Sequence, residues 1–158
     1  MEISKKIKSY MVEWTINYLK NKDLFAKNIV SIERHNDELC VKFKKGEQFY
    51  LMLPTIHDVD ELIQKIREKR NLAVIVLNSK ENFQLITQNW KRFIDFEQFT
   101  IFFINPFSNL DRKWILCPYV HNKICDDASL VNGLKSIFST VEMITEEQLH
   151  NLISDTRK

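Results

Sequence analysis

The sequence predicts an α/β protein, with α+β as the alternative, built on a mixed sheet of about six strands with helices on its faces. Three observations predict it. Two unbroken apolar runs, Leu72 to Leu77 and Phe99 to Ile104, flank one amphipathic segment; this is the pattern of two buried parallel strands joined by a right-handed helical crossover. Between Asn28 and Leu53 apolar residues recur at every second position across two short polar turns, as in an antiparallel meander. The segments outside these have apolar residues three and four apart, the spacing of one helix face. With 158 residues and no linker, repeat or low-complexity tract, the chain reads as one globular domain, residues 1 to 158.

Taken in order, Ser4 to Lys20 reads as a helix, with Ile3, Ile7, Tyr10, Met11, Trp14 and Tyr18 at helical spacing and Lys5, Lys6, Lys8 and Glu13 between them. Its basic, aromatic face admits a nucleic-acid or membrane surface, but one apolar stripe is ordinarily a face packed on a sheet. The meander follows. Val30 and Ile32 alternate with Ser31 and Glu33, Leu39, Val41 and Phe43 with Cys40, Lys42 and Lys44, and Phe49, Leu51 and Leu53 carry the third strand to Pro54. This alternation predicts one face on the core and one partly exposed.

Thr55 to Arg70 reads as a second helix, with Thr55 and Asp58 resembling a capping box and Ile56, Val59, Leu62, Ile63 and Ile66 as its stripe. Cations in its last turns, Lys65, Arg67, Lys69 and Arg70, suit the negative end of the helix dipole; a phosphate patch is the sharper reading. Within the crossover unit, Asn78 and Ser79 offer cap oxygens, and Phe83, Ile86, Trp90, Phe93 and Ile94 form one helical stripe. After a loop at Phe107 to Asp111, Trp114 to Cys117 reads as a strand antiparallel to the one ending at Ile104. A helix starts at Asp127 or Ser129, and its interior Gly133 costs roughly 1 kcal/mol against Ala. Thr145 with Gln148 forms a capping box for a last helix bearing Leu149, Leu152 and Ile153.

Composition restricts function mainly by exclusion. Net charge is +2, small for a dedicated nucleic-acid binder. There are two glycines, Gly46 and Gly133, far apart, so neither the P-loop nor the dinucleotide-binding glycine motif exists. Three cysteines, Cys40, Cys117 and Cys125, do not make a secreted disulfide framework. The N-terminus leads into no apolar signal region, and no apolar run approaches the ~20 residues that span a bilayer. The expectation is a cytoplasmic, reducing setting without a membrane partner.

Cys117, His121 and Cys125 recur every four residues and are the candidate metal ligands, since thiolate and imidazole both bind zinc. The spacing matches no standard zinc pattern, Pro118 argues against one shared helix face, and a fourth ligand, His57 or Asp126, would have to come from elsewhere. The bland alternative is a loop histidine with two packed cysteines, so zinc is not the expected cofactor. As nucleophile and base, Cys117 and His121 would stand about 13 Å apart along an extended strand, too far for the hydrogen bond the pair requires.

Helix, three-strand meander, helix, strand is also the order that begins the restriction-endonuclease-like fold, which residues 4 to 77 resemble at the level of element order. The resemblance implies a metal-dependent nuclease in which an Asp on the second strand and a Glu-x-Lys on the third hold Mg²⁺ and position the attacking water. The matching positions are Asp37 or Glu38 and Glu47. Glu47-Gln48-Phe49 lacks the lysine, so Lys42 on the neighbouring strand would have to share a face with Glu47. Phe43, Phe49, Tyr50 and Trp114, near Lys42, Lys44, Arg112 and Lys113, further nominate a nucleic-acid surface, although aromatics mostly fill cores. The leading expectation is a non-catalytic binding or accessory protein, with a protein or a nucleic acid as partner. A divergent metal-dependent nuclease at Asp37, Glu38, Lys42 and Glu47 is the alternative.

Overall fold

In the computed structural model, which describes residues 2 to 156, the chain runs α1 (Glu2–Lys22), β1 (Ile29–His35), β2 (Glu38–Phe43), β3 (Gly46–Met52), α2 (Val59–Glu68), β4 (Leu72–Leu77), α3 (Lys80–Gln88), α4 (Trp90–Phe93), β5 (Thr100–Ile104), β6 (Lys113–Leu116), α5 (Pro118–Ile124), α6 (Asp127–Phe138) and α7 (Glu146–Thr156). All six strands form one mixed sheet in the order β1-β2-β3-β4-β5-β6. The pairs β1/β2 and β2/β3 are antiparallel, β3/β4 and β4/β5 are parallel, and β6 returns antiparallel to β5.

Helices cover both faces, as the unbroken apolar runs require. Every residue of β4 is buried: Leu72, Val74 and Val76 enter a core closed by α2, α3, α4 and α6, while Ala73, Ile75 and Leu77 enter a second core closed by α1 and α7. The alternation read in the meander holds only in part in β2: Leu39 and Val41 are fully buried against α1 and Lys42 is exposed, but Cys40, on the Lys42 side, is buried as well. It fails in β1. A bulge between Ile29 and Ser31 turns Val30 outward, leaving it 67% exposed, because a bulged residue drops out of the pleat.

Other boundaries moved for local reasons. The second helix begins at Val59 rather than Thr55: Asp58 is its cap, accepting the Glu61 N–H at 3.2 Å, whereas the Thr55 hydroxyl donates to Glu146 of α7 at 2.9 Å. The predicted crossover helix is capped by Ser79 but breaks at Asn89, whose side-chain amide donates back to the Leu85 carbonyl at 2.8 Å, a bond that competes with helical pairing. Pro118 opens a helix, α5, in a segment read as a loop; at the first helical position its missing N–H is no loss. The Thr145–Gln148 capping box forms reciprocally, with bonds of 3.0 and 3.2 Å.

The carboxyl ends of the parallel strands, where open α/β sheets commonly bind ligands, are filled by three buried asparagines. Asn78 accepts the Trp114 indole N–H at 2.7 Å and donates to the Val141 carbonyl at 2.8 Å. Asn82 donates to the Pro54 and Leu77 carbonyls and accepts the Ile56 N–H, all at 2.9 Å. Asn105 donates to the Glu142 carbonyl at 2.9 Å. Residues 138 to 144 thus strap this end shut through Asn78 and Asn105, and all three asparagine side chains have protein partners.

Candidate functional site

The register brings two of the four nuclease candidates together. Lys42 and Glu47 are direct cross-strand partners, so their side chains leave the same face of the sheet. Glu33, Lys42 and Glu47 are all exposed there. Glu33 joins them, its carboxylate 3.8 Å from the Lys42 ammonium, and Glu47 accepts the Cys40 thiol at 3.6 Å. Burial, reinforced by that hydrogen bond and the charges of Glu47 and Glu33, pushes the Cys40 thiol up and keeps it protonated, the opposite of what a nucleophile needs.

The other two candidates lie apart from the pair. Asp37 is in the β1–β2 turn with its carboxylate 3.3 Å from Lys8 of α1, which draws it toward the opposite face. Glu38 opposes Leu51, four positions along β2 from Lys42 and about 13 Å away at strand rise. Among the described residues no three His, Cys, Asp or Glu side chains are grouped to hold a metal ion.

The same holds for the second metal candidate set. Cys117 and Cys125 bracket α5 as its N-cap and C-cap, and His121 lies within the helix rather than in a loop. The His121 ring Nδ1 is 2.9 Å from the Cys117 carbonyl oxygen, so the imidazole is used on backbone at the helix start and not on a thiol. All three cysteines are free.

The aromatics nominated from the strands are mostly core. Trp114 is 5% exposed and stacks on Phe103 at 4.2 Å. Tyr50 meets Phe102 edge-on at 6.3 Å, and burial pushes its phenol up to about 12. Phe49 lies under the Lys69 ammonium at 4.6 Å, so one cation of the proposed phosphate patch rests on a ring.

A different constellation lines a cleft of about 690 Å³ between α1 and the start of β6, formed by Tyr10, Glu13, Trp14, Asn17, Tyr18, Lys20, Asn21 and, from the other wall, Pro106, Asp111, Arg112 and Lys113. This volume lies in the range of small-molecule sites, about 300–1,000 Å³. Tyr10, Trp14 and Tyr18 recur every four residues and so share one flank of α1. All three are half-buried, packed at the base on the α1-side core and open above. Trp14 stacks on Tyr18 at 5.5 Å and 5°, and Tyr10 stacks on Phe107 at 5.6 Å and 12°.

The charges of the cleft are unevenly satisfied. Glu13 is held by Arg34 at 3.2 Å on the far flank of α1, whereas Lys20, Arg112 and Lys113 form no ion pair among the described residues. Lys113 lies over the Tyr18 ring at 5.0 Å. Burial pushes the Tyr10 phenol up, and the positive charge of Arg112 across the cleft works against that rise. Arg112 is fixed by its main chain, its carbonyl accepting the Asn105 N–H at 2.8 Å. The strap asparagine therefore also positions a wall of the cleft.

Sequence reading assigned the Tyr10, Trp14 and Tyr18 stripe to packing and did not join it to Arg112 and Lys113, about ninety residues on. The available signal was the residue type: three aromatics with polar handles where a purely buried stripe takes Leu or Ile. Comparison of the chain with protein-family models, curated proteins and solved structures finds no match. No described helix is long and apolar enough to cross a membrane.

Proposed function

We propose that the protein is a non-catalytic binding protein of the reducing cytoplasm whose ligand occupies the cleft between α1 and β6. The observation that carries this reading is the convergence of Tyr10, Trp14 and Tyr18 with Lys20, Arg112 and Lys113, three cations that form no ion pair among the described residues. Half-buried aromatic faces offer contact area at small entropic expense, and three cations against the carboxylates of Glu13 and Asp111 leave the lining net positive, which favours an anion. Three free cysteines, one of them buried, suit a compartment that keeps thiols reduced.

The test is a chemical-shift survey of the full chain against a panel of anionic metabolites, polyanions and acidic peptides. Ligands are expected to move the resonances of Tyr10, Trp14, Asn17, Tyr18, Arg112 and Lys113 and to be released unchanged. Binding that moves only residues outside this set, or turnover of the ligand, would overturn the reading.

A second reading, a divergent metal-dependent nuclease, is favoured by one observation: Lys42 and Glu47 share a sheet face, as the substitution for the missing third-strand lysine requires. It needs a carboxylate beside Glu47; Glu33, on β1, reaches Lys42 from the other side of β2, whereas Asp37 is paired with Lys8 and Glu38 lies four positions along β2 from Lys42. Incubation with plasmid and single-stranded DNA in Mg²⁺ or Mn²⁺ decides it. Cleavage abolished by Glu47→Ala would establish this reading, and intact substrates would remove it.

A further inference from the structure

Resting on the cleft as the binding site, we infer that its ligand is a nucleotide unit, the base stacked on Trp14 and the phosphate held by Arg112 and Lys113. A ring has two faces. Trp14 gives one to Tyr18 and has no other ring partner among the described residues, yet it lines the cleft. Tyr10, one turn earlier, is likewise engaged on one side by Phe107. The cleft therefore opens between two stacked pairs, the arrangement in which a planar base replaces water on an aromatic face.

The polar wall fits the rest of a nucleotide. Arg112 presents a planar fork of donors suited to two phosphate oxygens, and Lys113 and Lys20 add point charges. The amides of Asn17 and Asn21, on the same flank of α1, offer both donors and acceptors for a base edge. A bare phosphate would leave the aromatic rings and both amides without a role. An acidic peptide would use the cations but not the open ring faces.

The source of the nucleotide, free or within a single strand, is separated by the experiment. The full chain is titrated, following tryptophan emission and amide shifts, with adenosine and uridine monophosphates, with short single-stranded RNA and DNA, with inorganic phosphate and with polyglutamate. Nucleotides or single strands are expected to quench emission saturably and to move the cleft resonances. Trp14→Phe should retain binding and lose most of the quenching, because Trp90 is tied to Asn122 and Trp114 is buried.

Trp14→Ala should weaken binding roughly tenfold to a hundredfold, the range of one lost base–aromatic stack. Trp14 also packs on the core, so the variant Arg112→Ala/Lys113→Ala, on the opposite wall, provides an independent arm. It should fold normally, weaken binding and flatten the salt dependence. Tighter binding of strands than of monophosphates identifies a single strand as the source, and equal affinity per nucleotide identifies the free form.

Phosphate or polyglutamate binding as tightly as nucleotides would overturn the inference while leaving the cleft as an anion site. Nucleotides that move only resonances elsewhere would overturn both.

Discussion

Asn78→Ala tests whether the carboxyl edge of the parallel strands is structural closure rather than an unfilled ligand site. The side chain is fully buried and bridges three elements: its oxygen accepts from Trp114 on β6, and its amide donates to Val141 at 2.8 Å and, more weakly, to Phe138 at 3.3 Å in the strap. Truncation leaves the indole N–H and the Val141 carbonyl without partners. Each orphaned buried group costs about 1–3 kcal/mol, and the small void adds to that, so a loss of roughly 3–5 kcal/mol is expected. That is a large share of the ~5–15 kcal/mol stability of an ordinary domain, and in melting it corresponds to a drop of about 6–20 °C at this chain length.

Urea unfolding measures the loss. The exposed Gln84→Ala, as a control, should stay within about 0.5 kcal/mol of the parent. A cycle with Trp114→Phe sharpens the test. The phenyl ring still stacks on Phe103 but no longer donates, so in the Asn78→Ala background it should cost about 1–2 kcal/mol less than in the parent. An Asn78→Ala loss under about 1 kcal/mol, with unchanged denaturant slope and no coupling, would refute the closure argument.

Three further outcomes follow from other contacts. Tyr50 ionises in the unfolded chain near its ordinary 10.0 but in the fold only at about 12; stability from this group is complete below pH 10 and falls as pH rises through that window, and Tyr50→Phe should remove that part of the alkaline slope in pH-dependent unfolding. The Asp126 carboxyl is held below its ordinary range first by the Ser129 hydroxyl and then by the Ser129 N–H, at 2.7 and 2.8 Å. Its contribution is therefore present above the ordinary carboxylate range and lost as pH falls through its lowered value, and Asp126→Asn should keep the cap while erasing that acid-limb dependence. Thr145→Ala removes one half of the capping box and should cost about 1 kcal/mol, read as faster amide exchange in the first turn of α7.

The parts of the fold legible in the sequence are those fixed by local patterning. Leu72 to Leu77 and Phe99 to Ile104 are buried on both faces, so continuous apolar runs announced them directly. The Thr145 box was legible because both partners lie within one turn. By contrast, α5 has no apolar stripe: Val120 and Ile124 are 46% and 72% exposed, so periodicity gave no signal and only Pro118 marked its start. The break at Asn89 and the bulge at Val30 depend on hydrogen-bond competition and strand pairing that composition does not encode. Lys42 and Glu47 were close enough in sequence to pair on paper, yet their shared face became definite only with the register. The cleft was hidden longest, because its walls come from opposite ends of the chain.

The position of the cleft follows from how many helices each face received. Six strands at about 4.8 Å spacing make a sheet roughly 24 Å wide between its outer axes, and one helix covers about 10 Å of that width. The face that takes Leu72, Val74 and Val76 carries α2, α3, α4 and α6, whereas among the described residues the opposite face is covered by α1 and α7. Two helices leave a strip about one strand or two wide, and it falls at the β6 edge, where Ile115 faces the same side as Phe102 and remains 40% exposed. A strip that served only packing would be closed by aliphatic side chains from α1 or by a third helix. Instead α1 turns Tyr10, Trp14 and Tyr18 toward it, and the strap asparagine Asn105 anchors Arg112 on its rim. Those residues stay half-buried, an arrangement that stabilises the fold less than aliphatic closure would, and this is the feature on which the proposed ligand site rests.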